Sequence, residues 1–130
     1  MATVGRDLKD VAEMHGMTAA QVIELHSSPI YVVYFLGFAP GFAYLGGLPE
    51  ALASRRLETP RAKVPQGSVG IGGNQTGVYP ISTPGGWRLI GRTPAAMFRR
   101  DANPMSLLQI GDHVRFRAIS ESEFTDLAGR

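Results

Sequence analysis

The chain has 130 residues, of which 44% are hydrophobic, and it contains no cysteine. This length is near the commonest size of a single domain, and the hydrophobic content excludes wholesale disorder. Without cysteine there is no disulfide framework, no thiolate metal site and no cysteine nucleophile. The N-terminal sequence lacks an apolar signal core, and no stretch approaches the roughly 20 apolar residues of a membrane span. We therefore expect a cytoplasmic protein with no membrane partner.

The net charge of +2 conceals an uneven distribution along the chain. Between Ile30 and Arg100 there are eight basic residues and two acidic ones, Glu50 and Glu58, whereas the two ends together carry an excess of acidic residues. A positive middle segment favours an anionic ligand such as a carboxylate or a phosphate. A solvated surface with chance clustering of charge is the alternative.

Two short helices are predicted at the start of the chain. Asp7 is a candidate N-cap for a helix that reaches His15, and Thr18 and Gln21 have the spacing of a capping box for a second helix that ends near His26. Such a pair resembles a helix-turn-helix, but residues 19–27 contain no arginine or lysine to read base edges. We predict a plain helical hairpin and no nucleic-acid partner.

The rest of the chain is typical of β-structure. Twelve of the sixteen glycines and six of the nine prolines fall between Gly37 and Gly91. A buried strand is predicted over residues 30–36, and short strands joined by tight turns over residues 68–72, 77–81 and 87–90. Further predictions are one helical turn over residues 94–98, a closing hairpin of residues 107–110 and 114–119, and a terminal helix capped by Ser120 and Glu123.

Many short strands with glycine- and proline-rich turns favour a closed or nearly closed β-barrel. The predicted fold class is therefore mainly β. Residues 1–29 form a helical hairpin that leads in to it, and residues 30–130 form the barrel domain.

No metal site is predicted, because the three histidines, His15, His26 and His113, are scattered and lack neighbouring acidic residues at ligand spacing. A P-loop and a dinucleotide-binding fingerprint are also missing from the sequence. No residue is identifiable as a general base, so catalytic residues are not predicted.

Candidate binding residues lie in the glycine-rich middle of the chain. Arginine can fork onto a carboxylate or phosphate, glutamine and threonine offer neutral hydrogen bonds, and tyrosine and tryptophan give flat walls with one polar tip. Glycines in turns expose backbone N–H groups. The candidates are Arg61, Gln75, Thr76, Tyr79, Gly85, Gly86, Trp87 and Arg92. The alternative is that the aromatic residues belong to the core and the glycines form barrel corners.

The same segment resembles the C-terminal half of the family called allophanate hydrolase subunit 1, also known as the sporulation kinase-inhibitor family. The resemblance covers residues 7–124 and is carried by five strings: Gly37-Phe-Ala-Pro-Gly-Phe-Ala-Tyr-Leu-Gly-Gly-Leu-Pro49, Pro60-Arg61, Val64-Pro-Gln-Gly-Ser-Val-Gly-Ile71, Gln75-Thr-Gly-Val-Tyr-Pro80 and Pro84-Gly-Gly-Trp-Arg-Leu-Ile-Gly-Arg-Thr-Pro94.

This resemblance implies a cyclophilin-like β-barrel and the role of the B-type subunit in an ATP-dependent 5-oxoprolinase. ATP would be a co-substrate, with Mg²⁺ implied. The partners would be a companion barrel subunit of the C type and a third subunit, and the substrate a small amide. Family members usually carry a preceding N-terminal α/β domain, which this sequence lacks, so the chain is not expected to be active alone.

Two other functions stay open at the level of sequence. The chain could be a binding module that inhibits a histidine kinase by docking on it. It could also be a carboxyltransferase-type domain that acts on urea or allophanate, because urea, allophanate and 5-oxoproline all present an amide.

Overall fold

The computed structural model describes residues 5–99 and 101–128, and these residues form three α-helices and eight β-strands. The helices are α1 (Leu8–Met14), α2 (Ala19–Ser27) and α3 (Glu121–Ala128). The strands are β1 (Tyr31–Leu36), β2 (Ala43–Gly46), β3 (Arg61–Val64), β4 (Ser68–Gly72), β5 (Gln75–Val78), β6 (Thr83–Gly85), β7 (Arg88–Arg92) and β8 (His113–Val114). A short 3₁₀ turn occupies Glu50–Leu52.

Six of the strands form one antiparallel sheet in the order β7-β4-β5-β2-β1-β8, and β3 pairs with β6 in a separate two-stranded ribbon. The predicted mainly β class is confirmed. The edge strands β7 and β8 do not pair with each other in the described part of the chain, so of the predicted closed or nearly closed barrel the closed form is not observed.

The N-terminal helices follow the sequence prediction in position. The capping box of α2 is complete, because the Thr18 hydroxyl accepts from the Gln21 N–H at 3.1 Å and the Gln21 side chain accepts from the Thr18 N–H at 2.8 Å. Asp7 is at the N-cap of α1, but its side chain makes no capping bond. That part of the prediction is wrong, because the carboxylate is taken by Arg61 and by the backbone of Leu89.

Strand β1 is only partly buried, although the whole segment was predicted to be. Tyr31 and Val33 are in the core, whereas Tyr34 and Phe35 are 59% and 46% exposed. The pairing of β1 with β2 shifts register between Val33 and Phe35. Because of this irregularity, the adjacent side chains of Tyr34 and Phe35 both lie outside the core. An antiparallel sheet commonly leaves one face open, which the apolar sequence alone did not reveal.

The predictions for the C-terminal part of the chain are largely wrong, except for the last helix. Residues 94–98 form no helix and residues 107–110 form no strand. The short strand β8 pairs with β1, and the predicted hairpin partner instead forms a turn in which the Gln109 N–H donates to the Asp112 carboxylate at 2.8 Å. The predicted capping of α3 is confirmed, since Ser120 and Glu123 exchange backbone-to-side-chain hydrogen bonds.

The core has two parts. The larger one joins α1 and α2 to the six-stranded sheet, with Val11 and Val22 packed in the same cluster as Leu45, Ile71 and Ile90. The smaller one contains Phe42, Val64, Tyr79, Trp87 and Leu89. The division into a helical lead-in and a barrel domain stays a prediction. None of the helices in residues 5–99 and 101–128 is long and apolar enough to span a bilayer.

Candidate functional site: an aromatic pocket

A pocket of about 180 Å³ opens beside the smaller core cluster. Its wall combines five aromatic side chains with one arginine, a leucine, a proline and two adjacent glycines. We call it the aromatic pocket and define it by Phe38, Phe42, Tyr44, Arg56, Leu57, Pro60, Tyr79, Gly85, Gly86 and Trp87.

Phe42 is the centre of the aromatic wall. Its ring meets that of Tyr79 at 5.3 Å and 84°, and that of Trp87 at 5.4 Å and 81°. Tyr44 meets Trp87 edge to face at 5.9 Å and 74°. These edge-to-face arrangements are the favourable ones for aromatic rings, and the buried rings therefore form a wall that is already ordered before a ligand arrives.

Two glycines give the rings the space they occupy. A Cβ atom on Gly85 would lie 2.5 Å from the Tyr79 hydroxyl, and one on Gly72 would overlap the Trp87 indole nitrogen. Because a side chain at either position would displace a ring, glycine at these positions is a packing requirement of the pocket.

Tyr79 places a hydroxyl group in this apolar surrounding. Burial raises the pKa of Tyr79, and a backbone hydrogen bond from Trp87 and the positive charges of Arg56 and Arg61 only partly offset that effect. The phenol is therefore neutral at physiological pH and available for hydrogen bonding. Arg56 has an exposed side chain and supplies a positive charge at the pocket wall.

Arg61 is not among the lining residues of the pocket, and its guanidinium is engaged in an ion pair. Its two terminal nitrogens each donate to one oxygen of Asp7 at 2.7 Å, and the Leu89 N–H donates to the same carboxylate at 2.7 Å. Burial alone would raise the pKa of Asp7, but the hydrogen bonds from Arg61 and Leu89 and the charge of Arg61 lower it overall. The arginine fork predicted to bind a ligand is thus occupied by a carboxylate of the chain itself.

Thr76 lies in the core, with its hydroxyl donating to the Gly70 carbonyl at 2.8 Å and bonded to the Nε2 atom of His26 at 2.8 Å. Because the single hydroxyl hydrogen goes to Gly70, the histidine Nε2–H must be the donor in the second bond. Burial lowers the pKa of His26 to about 3, so this imidazole is neutral.

Gln75 and Arg92 lie at two further places on the surface. Gln75 is half-buried in a separate cavity of about 450 Å³ that also contains Tyr34 and Glu50. Arg92 donates from Nε to the Gln66 carbonyl at 3.0 Å, and its guanidinium lies 5.6 Å from the centre of the Phe124 ring.

Of the eight candidate residues, the structure brings four together in the aromatic pocket: Tyr79, Gly85, Gly86 and Trp87. The sequence analysis missed Arg56 and the aromatic residues Phe38, Phe42 and Tyr44. A signal was present, because Phe42 and Tyr44 are two positions apart and residues at that spacing share one face of a strand. No group of three or more acidic, histidine or cysteine side chains that could hold a metal ion occurs among the described residues.

Comparison with known proteins gives a consistent assignment. Residues 2–108 match the model of the family described as carboxyltransferase domain, subdomain C and D. The chain is 54% identical over 120 residues to the B-type subunit of 5-oxoprolinase from Bacillus subtilis, covering 92% of this chain and 50% of that protein. It is 57% identical over 112 residues to the corresponding subunit from Haemophilus influenzae, covering 86% and 53%. The chain thus spans about half the length of these curated relatives.

Solved structures agree with the sequence relatives. A conserved uncharacterised protein from Pyrococcus horikoshii superposes with a TM-score of 0.89 at 56% identity, covering 92% of this chain and 56% of that one. The urea carboxylase of Kluyveromyces lactis superposes with a TM-score of 0.71 at 21% identity, covering 95% of this chain and 12% of that one. The latter likeness is one of fold.

Proposed function

Because this chain belongs to the family of the carboxyltransferase domain, subdomain C and D, we propose that it is the β-rich part of the B-type subunit of a 5-oxoprolinase. The observation that carries the proposal is the identity of 54% over 120 residues to a protein of that name. The chain spans half of that relative. We propose that it acts together with other parts of an enzyme complex.

The aromatic pocket is the place we assign to the amide substrate. Its volume of about 180 Å³ is below the roughly 300–1,000 Å³ of pockets for drug-sized ligands, so it suits a small molecule. The lactam ring of 5-oxoproline is flat and fits between aromatic faces. Arg56 can pair with the carboxylate that this ring carries. The Tyr79 hydroxyl is a neutral partner for the amide group.

The other candidates take supporting roles in this proposal. Gln75 and Arg92, which are at least partly accessible, would contact a phosphate or a neighbouring subunit. Arg61 acts on the pocket through its bond to Asp7, which ties β3 to the start of α1. Thr76 acts through the packing of β5 against α2.

An amide carbonyl is a poor electrophile, which is why the reaction would consume ATP. Transfer of the γ-phosphoryl group to the lactam oxygen releases ADP and creates a good leaving group. Water then adds at the carbonyl carbon and the ring C–N bond breaks, which gives an acyl phosphate and a free amine. A second water hydrolyses the acyl phosphate to give glutamate and phosphate. Mg²⁺ would neutralise charge on ATP. We propose that ATP binds mainly on the companion subunits, because a nucleoside triphosphate is far larger than the aromatic pocket. We also propose that the complex acts in the cytoplasm.

Reconstitution tests the proposal. The chain is mixed with the remaining half of the B-type subunit and with the companion barrel and third subunits, and ADP and glutamate release are measured with 5-oxoproline. We expect turnover that requires this chain and that falls at least tenfold in Arg56→Ala, since a charge-assisted pair contributes roughly 1.5–3 kcal/mol. The exposed arginine Arg99 supplies the control, Arg99→Ala, which keeps full turnover.

Other substrates decide between the alternatives in the same assay. ADP release with urea or allophanate and none with 5-oxoproline would replace the proposal by the carboxyltransferase-type function, which rests so far on a fold shared at 21% identity. The kinase-inhibitor function stays a prediction from the sequence resemblance.

A further inference from the structure

Phe38 has a backbone conformation that its side chain disfavours. Its φ angle is +69°, and no other non-glycine residue in the described part of the chain has a positive φ. The Ala39 N–H donates to the Gly37 carbonyl at 2.8 Å, so Phe38 is the central residue of a γ-turn of the strained, positive-φ kind. Glycine is the residue that adopts such a turn without penalty, and a bulky aromatic residue is a marked exception.

The surrounding loop holds this conformation in place. The Gly37 N–H donates to the Phe42 carbonyl at 3.1 Å, and the Phe42 N–H donates to the Ala39 carbonyl at 3.0 Å. Gly41, at φ +83°, packs so closely on Phe98 that a Cβ atom would lie 2.7 Å from it. Residues 37–42 therefore form a closed, anchored loop that fixes the backbone of Phe38 and the point from which its side chain extends.

Burial does not explain why phenylalanine is at this position. The ring is 61% exposed, so it removes little of its own apolar surface from water. Its contacts are edge-to-face ones with Phe42 at 5.4 Å and Tyr79 at 6.3 Å, both of which are wall residues of the aromatic pocket. An exposed ring on a strained turn that borders a preformed pocket is placed for contact with something that enters the pocket.

We propose that Phe38 is a ligand-contacting residue that covers a flat amide ligand in the aromatic pocket, and that the strained turn serves to present its ring there. The inference deepens the proposed function, on which it rests for the choice of ligand. Its chemical basis is the apolar face of the ring, which contacts the flat face of a lactam while Arg56 and Tyr79 take the polar groups.

The experiment uses Trp87, the sole tryptophan of the chain, whose ring forms part of the pocket wall. Its fluorescence is followed while the protein is titrated with 5-oxoproline and with 2-pyrrolidinone, which is the same lactam ring without the carboxylate. The variants are Phe38→Ala, Phe38→Gly and Phe38→Tyr. The control is Ile110→Ala, because Ile110 is 66% exposed and lies outside the pocket.

We expect Phe38→Ala and Phe38→Gly to weaken binding of both probes about tenfold, and Phe38→Tyr and Ile110→Ala to bind like the parent. We also expect Phe38→Gly to melt at or above the temperature of Phe38→Ala, because glycine relieves the strain of the turn. Both should melt within a few degrees of the parent, since the ring is exposed.

Two results with the variants would overturn the inference. One is parent-like probe binding by Phe38→Ala, which would leave Phe38 as a docking residue for another protein of the complex. The other is a large drop in melting temperature for both Phe38→Ala and Phe38→Gly, which would mark a folding role. The parent protein could also bind 2-pyrrolidinone but not 5-oxoproline. If Phe38→Ala then lost the binding of 2-pyrrolidinone, this result would support the role of Phe38 and contradict the proposed substrate. A parent that binds neither probe overturns both.

Discussion

Asp7 occupies the position of a helix N-cap, yet its carboxylate bonds to Arg61 and Leu89, which are 54 and 82 residues further along the chain. A buried carboxylate that accepts three hydrogen bonds ties the start of α1 to β3 and β7. The resulting ion pair stabilises the fold only while both partners are present, because Asp7 left without Arg61 would be a buried charge without its counterpart.

Asp7→Asn should therefore lower the free energy of unfolding by about 2–4 kcal/mol. The amide can accept only one of the two arginine bonds, and it brings its own N–H groups against the guanidinium. Urea denaturation of the variant and the parent at pH 7 measures the difference. Asp101→Asn, at an exposed site, is the matched control and should change it by less than about 0.5 kcal/mol. Equal stability of Asp7→Asn and the parent would show that the ion pair contributes nothing net.

His26 should make stability depend on pH. Its pKa in the folded chain is about 3, against an ordinary value near 6.5 in the unfolded chain. The unfolded state therefore binds an additional proton between these values, and stability falls as pH is lowered through that window. The expected slope is about 1.4 kcal/mol per pH unit below pH 6.

The measurement is urea denaturation at several pH values between 6.5 and 4.5, above the range in which Asp7 titrates. His26→Gln, which can still donate to Thr76, should lose about 1.4 kcal/mol less than the parent per pH unit. The exposed residue His113 provides the control, and His113→Gln should keep the slope of the parent. Identical slopes for His26→Gln and the parent would exclude His26 as the source.

At the scale of elements, β6 and the turn after it shape the pocket through two neighbouring glycines. A Cβ atom on Gly85 would lie 2.5 Å from the Tyr79 hydroxyl, whereas the nearest atom to a Cβ on Gly86 is 3.7 Å away on Pro60. The first contact is a clash with a ring that packs against Phe42, and the second is ordinary van der Waals contact.

We expect Gly85→Ala to destabilise the chain by about 1–3 kcal/mol and Gly86→Ala by less than about 1 kcal/mol. In Gly85→Ala the Tyr79 ring must shift, so the fluorescence of Trp87 should change as well. Thermal melts and emission spectra of the two variants provide the comparison. If Gly86→Ala proves the more damaging of the two, the packing assigned to Tyr79 and Gly85 is incorrect.

The whole molecule should unfold as one unit. Helices α1 and α2 share the larger core with the six-stranded sheet, and Leu89 of the smaller cluster is adjacent in β7 to Ile90 of the larger one. Far-ultraviolet circular dichroism reports on both helices and strands, while Trp87 fluorescence reports on the smaller cluster. Their thermal transitions should coincide. Separate midpoints would mean that the two clusters are independent folding units.

The parts of the fold that sequence determined are those set by neighbours in the chain. The capping boxes at Thr18 and Ser120 each close over three residues, and β-branched and aromatic runs favour strands wherever they pair. The partner of β8 was not predictable from the sequence, because a strand pairs with whichever strand edge is left free after folding. That edge belongs to β1, and the nearby residues 107–110 form no strand. The exposed side of β1 likewise depends on what covers the sheet.

For the site, the sequence determined the glycine-rich segment, its family and four residues of the aromatic pocket. Tertiary structure decided the rest, because a side chain's role depends on partners far away in the chain. Asp7 binds the guanidinium of Arg61, and His26, which is 50 residues from Thr76 in the sequence, forms a hydrogen bond with the Thr76 hydroxyl. Phe38 and Arg56 became pocket residues only when the folded loops brought them beside Tyr79 and Trp87. Local bonding can be read from spacing along the chain, whereas proximity across a sheet exists only after folding.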